Sequence, residues 1–257
     1  MRPSMHFLPL AFMLLAAVAG SASAESRRKP GEGMWTGQTF LSDYSRLHPV
    51  ERTVGNDYVY LAPRIEQGQV RFRNVILDQP EVFLSPESPY KGAKPADIEA
   101  IAELIRSTTT AALRQRGYEI VDRPSPETVY VRMAVTDLQI ARKSRNLLAY
   151  TPVGFAVDTA VKALQSFMDK FNIIDMALQV EIRDAESGTV LAEAVLKRGK
   201  SADATRPIPF DAMVVATNEL AERFACRLDN GHVPPAERID CTDPIARKNR
   251  PLVVRPL

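Results

Sequence analysis

Histidine and cysteine are scarce in this chain, at three and two of 257 residues. Those numbers exclude a dense disulfide scaffold and a histidine- or cysteine-rich metal centre. Net charge is nearly absent as well: 33 Lys and Arg against 31 Asp and Glu leave +2. No global field therefore marks a nucleic-acid coat or an enzyme that steers acidic substrates. The sequence carries no H-E-x-x-H, no C-x-x-C, no nucleophile elbow and no phosphate-cradling glycine loop. Past residue 24 no run reaches about 18 uninterrupted apolar residues, so no spanning helix is expected in the mature chain. What is present is an ordinary globular balance, 45% hydrophobic and 25% charged, which excludes chain-wide disorder.

The beginning of the chain reads as an address. Arg2 supplies a positive start, Phe7 to Gly20 form an apolar stretch interrupted by Pro9, and Ser21-Ala22-Ser23-Ala24 end it in small residues. That layout predicts a secretory signal over residues 1–24, cut between Ala24 and Glu25, and a periplasmic or secreted protein. Val18-Ala19-Gly20-Ser21 is similar to a bacterial lipoprotein cleavage box, with Ser21 where the lipid-bearing cysteine would stand. A hydroxyl cannot take the thioether-linked lipid, so no anchor is expected. Arg27, Arg28 and Lys29 oppose export, because they lie on the side that must cross the membrane; export remains the favoured reading. Cys226 and Cys241 enclose 14 residues, a loop worth roughly 3 kcal/mol if bonded without strain. On a helical wheel Cys226 lies roughly 160° from the apolar stripe and should face outward. Exposed thiols in an oxidising compartment tend to pair, so a disulfide is expected over two free thiols.

Periodicity then organises the rest. Residues 25–34 form a polar linker, and Phe40, Leu41, Tyr44 and Leu47 suggest a short helix or ordered turn within Trp35 to Pro49. Tyr58 to Ala62 reads as a strand, and Val70 to Leu84 as further β-structure with Pro80 at an edge or bulge. Pro95 opens a helix whose face runs through Ile98, Ile101, Ala102, Ile105, Thr109, Ala112 and Leu113 to a cap at Gly117. Tyr118 to Val121 is a short strand. Val129, Val131, Met133 and Val135 alternate cleanly, and Leu138 and Ile140 continue on the opposite phase, which calls for a bulge near Thr136-Asp137. Met176 to Ile182 and Val190 to Leu196 predict a hairpin around Asp184 to Gly188. Helices are predicted from Val153 to about Phe171 and from Pro209 to Leu228, and a Pro-rich basic tail without periodicity fills residues 231–257. The fold class is α+β: one domain over residues 35–230, with a mixed or mostly antiparallel sheet and about three helices packed on it.

Several of these segments carry a resemblance. The run from Phe40 through Asp43, Tyr44 and Leu47, the Tyr58-Val59-Tyr60-Leu61-Ala62-Pro63 strand, and the Val129 to Asp137 strand are similar to a bacterial family, domain of unknown function 3313. The Thr151-Pro152-Val153-Gly154 corner and the hairpin bearing Asp184-Ala185-Glu186-Ser187-Gly188 extend the likeness from Phe40 to about Leu228. It implies an exported, often lipid-anchored protein of the cell envelope with no established activity. It supplies no catalytic residues, and Ser21 departs from the anchored pattern.

Candidate chemistry is sparse. His48 and His232 are isolated in Pro-containing segments and read as solvated loop residues. Ser42, Asp43 and Tyr44 form a motif that reads better as packing than as a site, with Asp43 as a cap and Tyr44 as an anchor. Arg142, Lys143 and Arg145 cluster without interleaved aromatics, so they read as a solvated loop and nucleic acid is not expected. In the Val153 to Phe171 helix, Val157, Val161, Leu164 and Met168 could meet a membrane or partner, although covering the sheet is the simpler use of the stripe. No cofactor and no metal is expected. The favoured function is a non-enzymatic envelope protein that binds a protein or lipid component. The alternative is a periplasmic hydrolase built on carboxylates brought together by folding, for instance Asp43 with Asp137. A weaker idea makes residues 244–257 an interaction peptide.

Overall fold

A computed structural model describes residues 40–50, 56–143, 159–197 and 207–253, with no side-chain account of Asn56 and Lys197. The signal segment, the Ala24–Glu25 junction, Arg145 and Val157 lie outside the described residues.

The alternating segments become strands β1 (His48–Val50), β2 (Asn56–Leu61), β3 (Asn74–Leu77), β4 (Glu81–Leu84), β5 (Glu119–Ile120), β6 (Thr128–Arg142), β7 (Phe171–Asp184) and β8 (Val190–Lys197). They form one sheet in the order β1-β2-β8-β7-β6-β3-β5, and β4 pairs with β6 beyond the end of β3. Pairings along the path from β1 to β6 are antiparallel, whereas β3 and β4 run parallel to β6. The sheet is therefore mixed, as the sequence predicts.

Long β6 stays buried along its length because it is bulged. Val129, Val131, Met133 and Val135 point to one face, and the register with β7 shifts between Thr136 and Gln139. Asp137 takes the left-handed conformation there, at φ 54°. The extra residue returns Leu138 and Ile140 to the same apolar layer, where both are fully buried.

Helices α2 (Pro95–Gln115), α3 (Thr159–Lys170) and α4 (Phe210–Asn230) cover that layer, and two short helices, α1 (Pro63–Glu66) and α5 (Pro244–Asn249), complete the set. Proline opens α2 at a position where its missing N–H costs nothing. Gly117, at φ 88°, supplies the left-handed residue that turns the chain into β5. Helix α3 is described from Thr159, six residues after the predicted start, residues 153–158 being among those not described; it passes directly into β7 at Phe171.

The segment after α4 is ordered, in contrast to the aperiodic tail expected from sequence. A 3-10 turn (Pro235–Glu237) and α5 fold back along α4, and Cys226 and Cys241 are joined by a disulfide. Asn230 pairs with the backbone of Ile239 in both directions, at 2.9 and 3.3 Å. Arg116 and Tyr118 converge on the buried Asp229 carboxylate at 2.7 and 3.0 Å. Gly68 permits the same segment to close in, since a Cβ there would sit 2.2 Å from the Val233 carbonyl oxygen. This wrapping corrects two expectations. Cys226 is buried, because the returning chain covers the helix face that looked outward, and His232 is 7% exposed rather than solvated. Periodicity carries no trace of either, because both depend on a covering segment with no pattern of its own.

Candidate functional site

The sheet's two faces are built differently from the same alternation. Along β8, Ala192, Ala194 and Leu196 face the helices while Glu193 and Val195 face away; along β7, Leu178 and Val180 alternate with Gln179 and Glu181.

On the helix side the small residues leave room. Ala194 from β8 and Ala221 from α4 both border a gap where the two layers separate, an apolar cavity of about 280 Å³. Leu178, Val180 and Leu196 form its sheet wall, and Leu220 and Phe224 form its helix wall. That volume falls just under the roughly 300–1,000 Å³ range of ligand pockets. At the C-terminal end of α4 the lining changes character, to Arg223, Arg227, Asn230 and Arg238. Arg223 is ion-paired with Glu219, and Arg238 donates to the carbonyls of Ile65 and Glu66 at 2.5 and 2.7 Å. The Nε–H groups of Arg223 and Arg238 are shut off from water with no acceptor.

On the opposite side residues 40–47 lie across the strands as a strap. Its backbone N–H groups meet carboxylates: Ser42 donates to Glu181 at 2.9 Å and Asp43 to Glu193 at 3.1 Å. The Tyr44 hydroxyl donates to Gln179 at 2.6 Å and accepts from the backbone of Phe40 and Leu41 at 3.0 and 3.3 Å. Guanidinium groups supply the counter-charge, from Arg46 to Glu193 and from Arg132 and Arg183 to Glu181. Arg46 also stacks on Tyr60 and Arg132 on Phe40, with the charge 4.3 and 4.5 Å from the ring centres. The two acids differ. Burial, reinforced by the Glu181 charge, pushes Glu193 above the usual carboxylate range. Burial also acts on Glu181, but hydrogen bonds from Ser42 and Arg183 outweigh it and hold that carboxyl low.

The structure thus brings Ser42, Asp43 and Tyr44 together as a clasp. Asp43 caps the 3-10 turn Tyr44–Arg46 by accepting from Ser45, which lowers its pKa, and it pairs with Arg46 at 3.4 Å. Asp137 sits at the β6 bulge. The proposed docking face on α3 needs correction: Leu164 and Met168 are 0% and 4% exposed in the core, because α3 lies between α2 and β7, and Val161 is half-buried. Among the described residues no group of three or more His, Cys, Asp or Glu gathers as metal ligands would, and no helix is long and apolar enough to cross a membrane. Sequence reasoning missed the cavity and its arginines. The available signal was the pair of inward alanines on β8, small residues where the alternation called for large ones.

A family profile described as a protein of unknown function, DUF3313, matches residues 36–224. The chain belongs to this family. No curated protein matches the sequence. Among solved structures, the chain is similar to the PelC dodecamer from Paraburkholderia phytofirmans at 12% identity and a TM-score of 0.34, covering 68% of this chain and 96% of that one. It is also similar to a DUF4136 family protein from Bacteroides thetaiotaomicron at 11% identity and a TM-score of 0.34, covering 70% and 100% of the two chains. Family membership assigns no activity to the cavity or to the clasp, so their chemistry rests on the geometry of this DUF3313 protein.

Proposed function

We propose that the protein is a non-enzymatic binding protein of the bacterial cell envelope, exported from the cytosol, that holds a molecule with an apolar chain between β8 and α4. The observation that carries this reading is the cavity of about 280 Å³, walled by aliphatic and aromatic side chains where the sheet and helix layers part. Export is supported by the leader-like composition of residues 1–24 and by a disulfide, which persists in oxidising compartments. The carboxylate-site alternative draws no comparable support, because Asp43 is committed to its cap and to Arg46.

Titration with an uncharged naphthylamine fluorophore tests the binding. Saturable brightening near one probe per chain is expected, with loss of most of it in Ala194→Leu, which fills the cavity while the far-ultraviolet circular dichroism stays the same. Absence of saturable brightening in the wild-type protein rejects the reading. Cell fractionation with N-terminal sequencing tests the compartment: a mature chain starting at Glu25 is expected, and a cytosolic chain retaining Met1 contradicts export.

A further inference from the structure

The apolar cavity has a charged end. Arg223 and Arg227 stand one turn apart on α4, and Arg238 reaches the same cavity from the segment tied back by the Cys226–Cys241 disulfide and by Asn230. Two carboxylates stand beside them: Glu219 pairs with Arg223, and Asp240, which accepts from Thr242 at 2.8 Å, is held low by those hydrogen bonds and then by the Arg223 and Arg227 charges. Glu193, which also borders the cavity, directs its carboxylate to Arg46 and the Asp43 backbone on the opposite face. Three guanidinium groups against the Glu219 and Asp240 carboxylates leave the cavity end with a net positive charge.

We infer that the ligand is a single-chain carboxylate of the fatty-acid type, its head group received by the Arg223–Arg227–Arg238 cluster and its chain laid between β8 and α4. Charge complementarity selects an anion, and guanidinium N–H groups suit a carboxylate. Size selects the class, since a cavity this small accommodates one chain and the smallest anionic head rather than a two-chain phospholipid. The inference rests on the apolar-ligand reading above.

Displacement of the neutral fluorophore by dodecanoate and by dodecanol separates the two ideas at a pH where the acid is ionised. Dodecanoate should compete at least about tenfold more tightly than dodecanol, as expected for hydrogen bonds to a charged group. Arg223→Gln and Arg238→Gln, each verified as folded by its thermal transition, should erase most of that preference. Equal competition by acid and alcohol, or a preference unchanged in both variants, overturns the carboxylate inference and leaves apolar binding standing. Failure of both compounds to displace a bound probe overturns it as well, and failure of the probe itself to bind removes the underlying reading.

Discussion

The helix-covered face and the strap-covered face of the sheet use the same strands and solve opposite problems. The helix face is apolar and held by non-directional burial, so it tolerates a gap beside its alanines. The strap face buries Gln179, Glu181 and Glu193 completely, and each needs named partners at hydrogen-bond distance. Its apolar cluster is small, with Phe40, Leu41, Leu47, Ala134 and Val195 at its centre. A layer held by volume can host a ligand cavity; a layer held by directed bonds fixes the position of one segment. The difference explains why the cavity lies under α4 and why the strap sits where it does.

The largest expected effect is on the helix face. Phe167, 1% exposed and with its ring centre 5.0 Å from that of Phe171, should cost about 3–5 kcal/mol when replaced by alanine. Urea denaturation measures it, and a loss under about 1 kcal/mol would mean that packing does not dominate this layer.

Acid should weaken the helix side next. His232 lies edge-on to Phe72 with its Nε2 unpartnered, and burial, followed by the charges of Arg71 and Arg250, lowers its pKa from 6.5 to about 4. The folded state thus prefers the neutral ring, so the stability it confers is present above pH 6.5 and lost as pH falls toward about 4. The loss should approach roughly 3 kcal/mol at the acid end, since each tenfold weakening of proton affinity on folding corresponds to about 1.4 kcal/mol. Melting temperature against pH should fall across that window in the wild type and fall less in His232→Phe; parallel curves contradict the assignment.

The strap face should respond least. Glu181→Ala strands the Ser42 N–H and leaves Arg132 and Arg183 without their buried acceptor. The cost should be about 2 kcal/mol, below the range for fully buried pairs because both arginines are about a third exposed. Titration distinguishes the two acids. Glu181, held low, stabilises above its ordinary value of 4.5 and loses that contribution as pH falls through its folded pKa. Glu193, pushed up, favours the fold below 4.5 and loses that contribution as pH rises through its folded pKa. Glu181→Gln and Glu193→Gln should therefore tilt the acid end of the melting curve in opposite directions; tilts of the same sign would break the contrast between them.

Much of the helix face was legible in advance. The alternation of Val129 to Val135, the phase change that required a bulge near Asp137, and the stripe from Ile98 to Leu113 each encode burial locally. The strap was half legible: Tyr44 reads as an anchor and Asp43 as a cap, but Glu181 and Glu193 look like ordinary outward residues of a half-exposed hairpin. Their partners are about 140 to 150 positions away, beyond any periodic signal. Leu164 and Met168 show the converse difficulty, since an amphipathic stripe predicts that something covers it without saying whether that is the protein's own sheet or a partner.

By itself the sequence determined the main strands and helices, the α+β class, and the faces of the strands that turn inward, because those follow from side-chain spacing of two and 3.6 along the backbone. Tertiary structure alone decided that two alanine-bearing walls stand apart as a cavity, that three arginines line it, and that a strap closes over two buried acids. Such features depend on distances between segments far apart in the chain, and a cavity is a volume no single segment contains.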